Sequence, residues 1–338
     1  MSTPNQARLL GALCPPLLAI MLVLGGCGGG GGGGNGGSDP LPAAASSSSS
    51  TSSSPGASSS SSTGSSSASS GSSSSSSGST TSKSAKRGIA YDLATAEDMA
   101  ALSPGVSWWY NWSAQPSSKL PSDYRARYAM DFIPMLWNGN FDAAKVEAFL
   151  LANPHIKYLL VMNEPNLSDQ ANLTPTQAAA VWPSYEALAA KTGVKIVGPA
   201  ITWGTMSGYS DPVVWLDAFY AAYRAANAQR DPQIDYLALH WYDYGLAAQL
   251  DRLKKYGKPF WVTEFANWHT GDGSAQIDSV AKQKTQMQDM VAICESRADV
   301  FRYAWFTGRW SNDTHYTSLL AANGQLTELG QYYLSLPH

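Results

Sequence analysis

Two glutamates stand at the ends of short apolar runs. Glu164 lies in Val161-Met162-Asn163-Glu164-Pro165-Asn166, and Glu264 in Trp261-Val262-Thr263-Glu264-Phe265. A carboxylate where a buried strand stops is costly unless it is paired or hydrogen-bonded, and nothing in core packing asks for one. Lys157 and Lys258, the nearby cations, belong to the opposite ends of these two runs, so a simple salt bridge is a poor account of either acid. Two carboxylates facing each other across a sugar-sized cleft are what glycosidic cleavage needs. One protonates the leaving oxygen, and the other attacks or steers the oxocarbenium-like centre.

The elements that must position such a pair follow from the alternation of apolar runs and amphipathic stretches after residue 86. Eight strand candidates emerge: 88–93, 107–112, 131–137, 158–164, 195–201, 236–242, 259–265 and 300–306. Between them the pattern predicts helices over 142–152 and 274–296, a start at Thr174-Pro175, and left-handed stops at Gly193 and Gly257. Residues 86–338 match the roughly 250 residues of a (β/α)8 barrel, the α/β fold expected here. An open doubly wound sheet is the alternative, but Asp92-Leu93-Ala94-Thr95 is not the glycine-rich turn that fold places after its first strand. On an eight-membered ring the fourth and seventh strands are three places apart, so Glu164 and Glu264 can face each other across the C-terminal mouth.

Aromatic residues crowd the same ends. Trp108, Trp109, Tyr110 and Trp112 fill the second run, and Trp137, Trp203, Tyr242, Trp268, Trp305 and Trp310 lie at or just past later ones. Ordinary strand packing accounts for some of them. A platform for sugar rings, whose axial C–H faces are apolar, is the functional alternative. The strand-connecting loops 113–121, 203–211 and 308–317 are short, which favours an open groove and internal cleavage over an end-capped pocket.

The first 85 residues are a different polymer. Arg8, the apolar run around 17–24 and Leu24-Gly25-Gly26-Cys27 read as an export signal over residues 1–27, and the last four resemble a bacterial lipobox with Cys27 as the lipidated residue. Residues 28–85 are glycine- and serine-rich, with too few apolar side chains to offset the entropy of ordering. As a flexible tether they reach on the order of 40 Å. The expectation is an exported lipoprotein of the outer membrane or cell surface, held through Cys27, with secretion as the alternative. Cys294 alone remains after residue 85, so no disulfide is expected within the domain. A net charge of −3 with no basic stripe argues against nucleic acid and anionic lipid headgroups as partners. No HExxH, phosphate loop or close cysteine cluster appears, so neither metal nor cofactor is expected. A monomer is expected, and the sequons at Asn111, Asn166, Asn172 and Asn312 carry no weight in a bacterial lipoprotein.

Asn163-Glu164-Pro165 and Glu264 resemble the retaining barrel glycosidases that carry catalytic glutamates on the fourth and seventh strands. The nearer resemblance is to glycoside hydrolase family 128, the β-1,3-glucanases. It runs through Trp109-Tyr110-Asn111-Trp112, Val161-Met162-Asn163-Glu164-Pro165, Gly198-Pro199-Ala200, His240-Trp241-Tyr242, Trp261-Val262-Thr263-Glu264-Phe265 and Tyr303-Ala304-Trp305-Phe306. Many members of the wider clan have an arginine near the end of the second strand, where this chain has aromatics and Asn111. The resemblance implies Glu164 as general acid/base, Glu264 as nucleophile and Asn163 as a donor to the sugar 2-hydroxyl. From the end of the sixth strand His240 and Tyr242 can orient Glu264, with a satisfied core histidine as the alternative for His240, and Trp305 would lie under the sugar before the cleavage point. Trp109, Asn111, Trp203, Trp268 and Trp310 complete the expected substrate contacts. The implied substrate is a β-1,3-glucan; a glycan-binding module without turnover, or the same chemistry on another neutral β-glycan, stays open.

Overall fold

The computed structural model describes residues 83–270 and 273–338. The signal segment, Cys27 and nearly all of the expected linker lie outside the described residues. The described chain begins at Lys83, whose ammonium donates to the carbonyls of Ser103, Val106 and Tyr128.

Among the described residues, nine parallel strands follow in chain order: β1 (Arg87–Ala90), β2 (Trp108–Tyr110), β3 (Asp131–Phe132), β4 (Met135–Leu136), β5 (Tyr158–Val161), β6 (Lys195–Ile201), β7 (Tyr236–Trp241), β8 (Phe260–Phe265) and β9 (Val300–Trp305). Their neighbours run β3-β2-β1-β9-β8-β7-β6-β5-β4. The two outer members, β3 and β4, are halves of the single run expected over 131–137. Pro134 divides them, because it has no N–H to give the ladder. β3 pairs with β2 and β4 with β5, so the sheet curls until its ends meet in that one run, and eight staves close a barrel.

Helices alternate with the staves as expected. α4 (Pro175–Thr192) opens on a reciprocal Thr174–Gln177 capping box with proline in its first turn, and it stops at left-handed Gly193. α3 (Ala143–Ala152) is capped by Asp142. α7 (Val280–Ser296) begins six residues later than predicted, after the N-cap Ser279, whose hydroxyl accepts from the Lys282 amide; 273–275 form a separate 3-10 turn. Cys294 is buried in this helix as a free thiol.

Side chains separate into two apolar layers. Trp108, Tyr110, Ile133, Met135, Leu160, Val197, Ala200, Ala238, Trp261, Ala304 and Phe306 fill the barrel interior. A larger layer, including Trp109, Val161, Trp182, Trp215, Phe265 and Trp305, lies between the sheet and the helices. The period of two along each strand assigns neighbours to opposite layers.

Candidate active site

Glu164 is delivered by a break in its strand. Regular pairing stops at Val161, and Met162 and Glu164 then take left-handed backbone conformations, with φ of 57° and 45°. Neither residue type favours that region, so the surrounding structure must hold it. The Glu164 amide donates to Ala200 O at 2.9 Å, and the Asn163 amide to Trp137 O at 2.9 Å. Beyond the break, the fully buried Asn166 donates its side-chain amide to Thr202 O at 2.6 Å, and its own carbonyl accepts from Met206. This seam requires glycine at 204, where a Cβ would stand 2.1 Å from Asn166 O.

Glu264 reaches the same mouth through a bulge. Trp261 points into the barrel and Val262 out of it, so strict alternation would turn Glu264 outward. Pairing with β7 shifts between Leu239↔Val262 and His240↔Glu264, leaving Thr263 as an extra residue and returning Glu264 to the interior. Bulges of this kind re-aim side chains beside active sites. Tyr110 donates to Glu264 Oε1 at 2.6 Å and Trp112 Nε1 donates to the same oxygen at 2.8 Å, while Tyr242 donates to Oε2.

His240 ties the acids together. Its Nδ1 lies 2.9 Å from Glu164 Oε1 and 3.4 Å from Glu264 Oε2, with the ring fully buried. One oxygen from each carboxylate and one ring nitrogen lie within 4.8 Å of one another. Burial chiefly raises the Glu164 carboxyl above its usual range, and the Glu264 charge adds to this while His240 opposes it. Burial lowers the affinity of the His240 ring for a proton, but the two facing carboxylates outweigh it and the net shift is upward. Burial, then Glu264, pushes the Tyr110 and Tyr242 phenols well up, so both keep the proton they donate.

Glu164, His240 and Glu264 also form a donor set that metals use. Both Glu264 oxygens already accept O–H or N–H donors, which a cation would have to displace. The arrangement therefore suits a carboxylate pair sharing protons better than a metal centre.

The other expected site residues divide. Trp268 stacks on Tyr242, with centroids 4.1 Å apart, and with Phe306, Trp310 and His315 it builds an aromatic wall beside Glu264. Trp203 stands away from that wall, 38% exposed, beneath the Arg252 guanidinium at 5.2 Å. Asn163 donates to Gln170 Oε1 at 3.1 Å and leaves its own Oδ1 buried without a protein partner. Three expectations are corrected. Trp109 packs outward against Tyr124 and Phe132, and Trp305 packs outward against Phe265 and Tyr333, both fully buried in the outer layer and unable to meet a sugar. Asn111 spends its side chain on Asp92, Gln115 O and the Ser113 amide, fastening a loop. The inward-facing neighbours Tyr110 and Trp112 reach Glu264 instead, and Phe306 packs against Trp112, Tyr242 and Trp268. Period-two alternation counted from Trp108 and Ala304 is the signal that could have found them.

A closed parallel barrel with two buried glutamates at its C-terminal mouth, flanked by aromatics, has the layout of a barrel glycosidase. The glycosyl hydrolase catalytic core profile matches residues 88–333. The crystal structure of a subgroup II endo-β-1,3-glucanase of glycoside hydrolase family 128 from Pseudomonas viridiflava is 64% identical, with a TM-score of 0.75, over 76% of this chain and all of that one. A subgroup I endo-β-1,3-glucanase from Amycolatopsis mediterranei in complex with laminaritriose is 26% identical, with a TM-score of 0.58, over 75% of this chain and 99% of that one. Alkali-sensitive linkage protein 1 of Schizosaccharomyces pombe is 30% identical over an alignment of 272 residues that covers 75% of this chain but 45% of that protein. The chain belongs to the glycosyl hydrolase catalytic core family, and within it to glycoside hydrolase family 128.

Proposed function

We propose that the protein is an endo-acting β-1,3-glucanase that cleaves by double displacement. The observation that carries the mechanism is the Glu164–Glu264 pair, with carboxylate oxygens within 4.8 Å. Carboxyl groups about 5–5.5 Å apart suit retention, whereas inversion needs about 6.5–9.5 Å to admit a water. The substrate class rests on likeness to the Pseudomonas viridiflava endo-β-1,3-glucanase at 64% identity.

In the first step Glu264 attacks the anomeric carbon while Glu164 gives its proton to the departing oxygen. Tyr110, Trp112 and Tyr242 aim the nucleophile from three sides, and they take up its hydrogen-bonding again when it leaves. Glu264 loses its charge on forming the glycosyl ester, so Glu164 releases its proton more readily and serves as base towards water. The raised affinity of Glu164 for its proton supports the acid role. Asn163 faces the 2-hydroxyl, and Trp268 with Trp310 supports the glucan beside Glu264. Lipidation at Cys27 would tether the enzyme to the outer membrane or cell surface; the Leu24-Gly25-Gly26-Cys27 motif supports this.

Reducing-end release and product sizing on β-1,3-glucan, mixed-linkage glucan, xylan and mannan test the reading. Glu164→Gln and Glu264→Gln run alongside the wild type. Early products of several lengths from β-1,3-glucan, abolished by both substitutions, are expected. Retained glucan affinity without turnover in the wild type would instead make this a binding module. Globomycin-sensitive processing and fatty-acid labelling lost in Cys27→Ala test the anchor.

A further inference from the structure

At the opposite end of the barrel from the glutamates, the N-terminal ends of β3 and β5 open on a cavity of about 340 Å³. Its wall includes Arg125, Asp131, His155, Lys157, Tyr158 and Arg302. No step of the proposed reaction uses it. Arg302 projects into the floor of the barrel from β9, with its guanidinium carbon 5.7 Å from the Trp108 ring, 5.2 Å from Tyr158, 5.1 Å from Trp261 and 5.8 Å from Phe301. Those ring faces hold the guanidinium by cation–π attraction but offer nothing to its in-plane N–H groups. Its Nη1 is buried without a hydrogen-bond partner. An arginine keeps its charge where a lysine would shed it, and the one carboxylate that acts on Arg302, Asp131, is already bonded to Arg125.

The rest of the wall adds to the imbalance. Among the described lining residues Asp131 is the single carboxylate, and Arg125 already holds it at 2.8 Å. Arg125, Lys157 and Arg302 therefore face one acid. Burial chiefly, with Arg125 and Lys157 adding to it, holds the His155 imidazole below its usual value, and Asp131 opposes them.

We infer that this cavity is a binding site for a tetrahedral oxyanion of the phosphate class, free or carried on a lipid headgroup, with Arg302 and Lys157 as its cationic partners. A guanidinium fork and a mobile ammonium together match such an anion. The site is independent of the glucanase reading, because it lies across the barrel from Glu164 and Glu264 and stands or falls on binding alone.

The test is isothermal titration of the full-length Cys27→Ala protein, which carries no lipid, with inorganic phosphate at constant ionic strength, beside its sedimentation with phosphatidylcholine vesicles with and without phosphatidic acid. One saturable phosphate site is expected. Arg302→Met should weaken it at least about tenfold. Lys157→Gln, at an exposed position where folding is not at stake, should weaken it about threefold. Sedimentation that needs phosphatidic acid and is competed by free phosphate assigns the headgroup as the source; phosphate binding without sedimentation assigns the free ion. No saturable phosphate binding, or binding that neither substitution alters, overturns the inference.

Discussion

Replacing Glu164 with alanine separates its two roles and probes the geometry of the pair at the same time. The side chain is only 11% exposed, so bulk water cannot easily stand in as the acid. General acid catalysis contributes about 10²–10⁴-fold, or roughly 3–5.5 kcal/mol, and the burial places the expected loss on unmodified glucan at the upper end. A glucan oligosaccharide with a dinitrophenyl leaving group needs no proton, so glycosylation of Glu264 should persist and the ester should accumulate as a burst. Azide can enter the space the side chain vacates and attack that ester from the face Glu164 occupied. Since the two carboxylates come within 4.8 Å, the product should be the β-glycosyl azide, read by proton NMR of the anomeric coupling. An α-azide, or activity on unmodified glucan within about tenfold of wild type, would refute the assignment of acid and nucleophile.

Because burial holds the Glu164 carboxyl above its usual range, its acid form survives to higher pH, and kcat/KM should fall on the alkaline side as that group ionises. His240 and Glu164 both bind protons more tightly when folded, so their contribution to stability is complete below the unfolded values and is lost as pH rises through the folded ones. For His240 that loss begins above its ordinary 6.5, and His240→Gln should flatten the decline in urea midpoint there; an unchanged slope would dismiss the linkage. Gly204→Ala should cost about 1–3 kcal/mol by urea denaturation and lower kcat, because the new Cβ must displace the Asn166 carbonyl beside Glu164. Trp268→Ala should raise KM for long glucans about tenfold, whereas Trp305→Phe should lower the melting temperature and leave KM alone. A KM effect from Trp305→Phe would reverse the assignment of that ring to the outer layer.

The sequence by itself determined the number of staves, their order and the two glutamates. Apolar runs alternating with capped helices are local signals, and Thr174-Pro175, Gly193 and Gly257 act within a turn of where they stand. It also showed that Glu164 and Glu264 end staves three places apart, which needs only the order of the strands. What it could not decide was the direction in which a side chain points at a stave's end, and there the expected contacts went astray. Counting by twos separates Tyr110 from Trp109 and Phe306 from Trp305, but the count fails where the backbone stops being regular. The left-handed turns at Met162 and Glu164, and the extra residue at Thr263, are imposed by pairing with Ala200 and with β7. Such irregularities are stable only because neighbouring strands hold them, so they leave no local mark in composition. The meeting of His240 with both carboxylates is likewise a tertiary fact. It brings together residues 76 and 24 positions apart in the chain, at a distance that only the closed barrel sets.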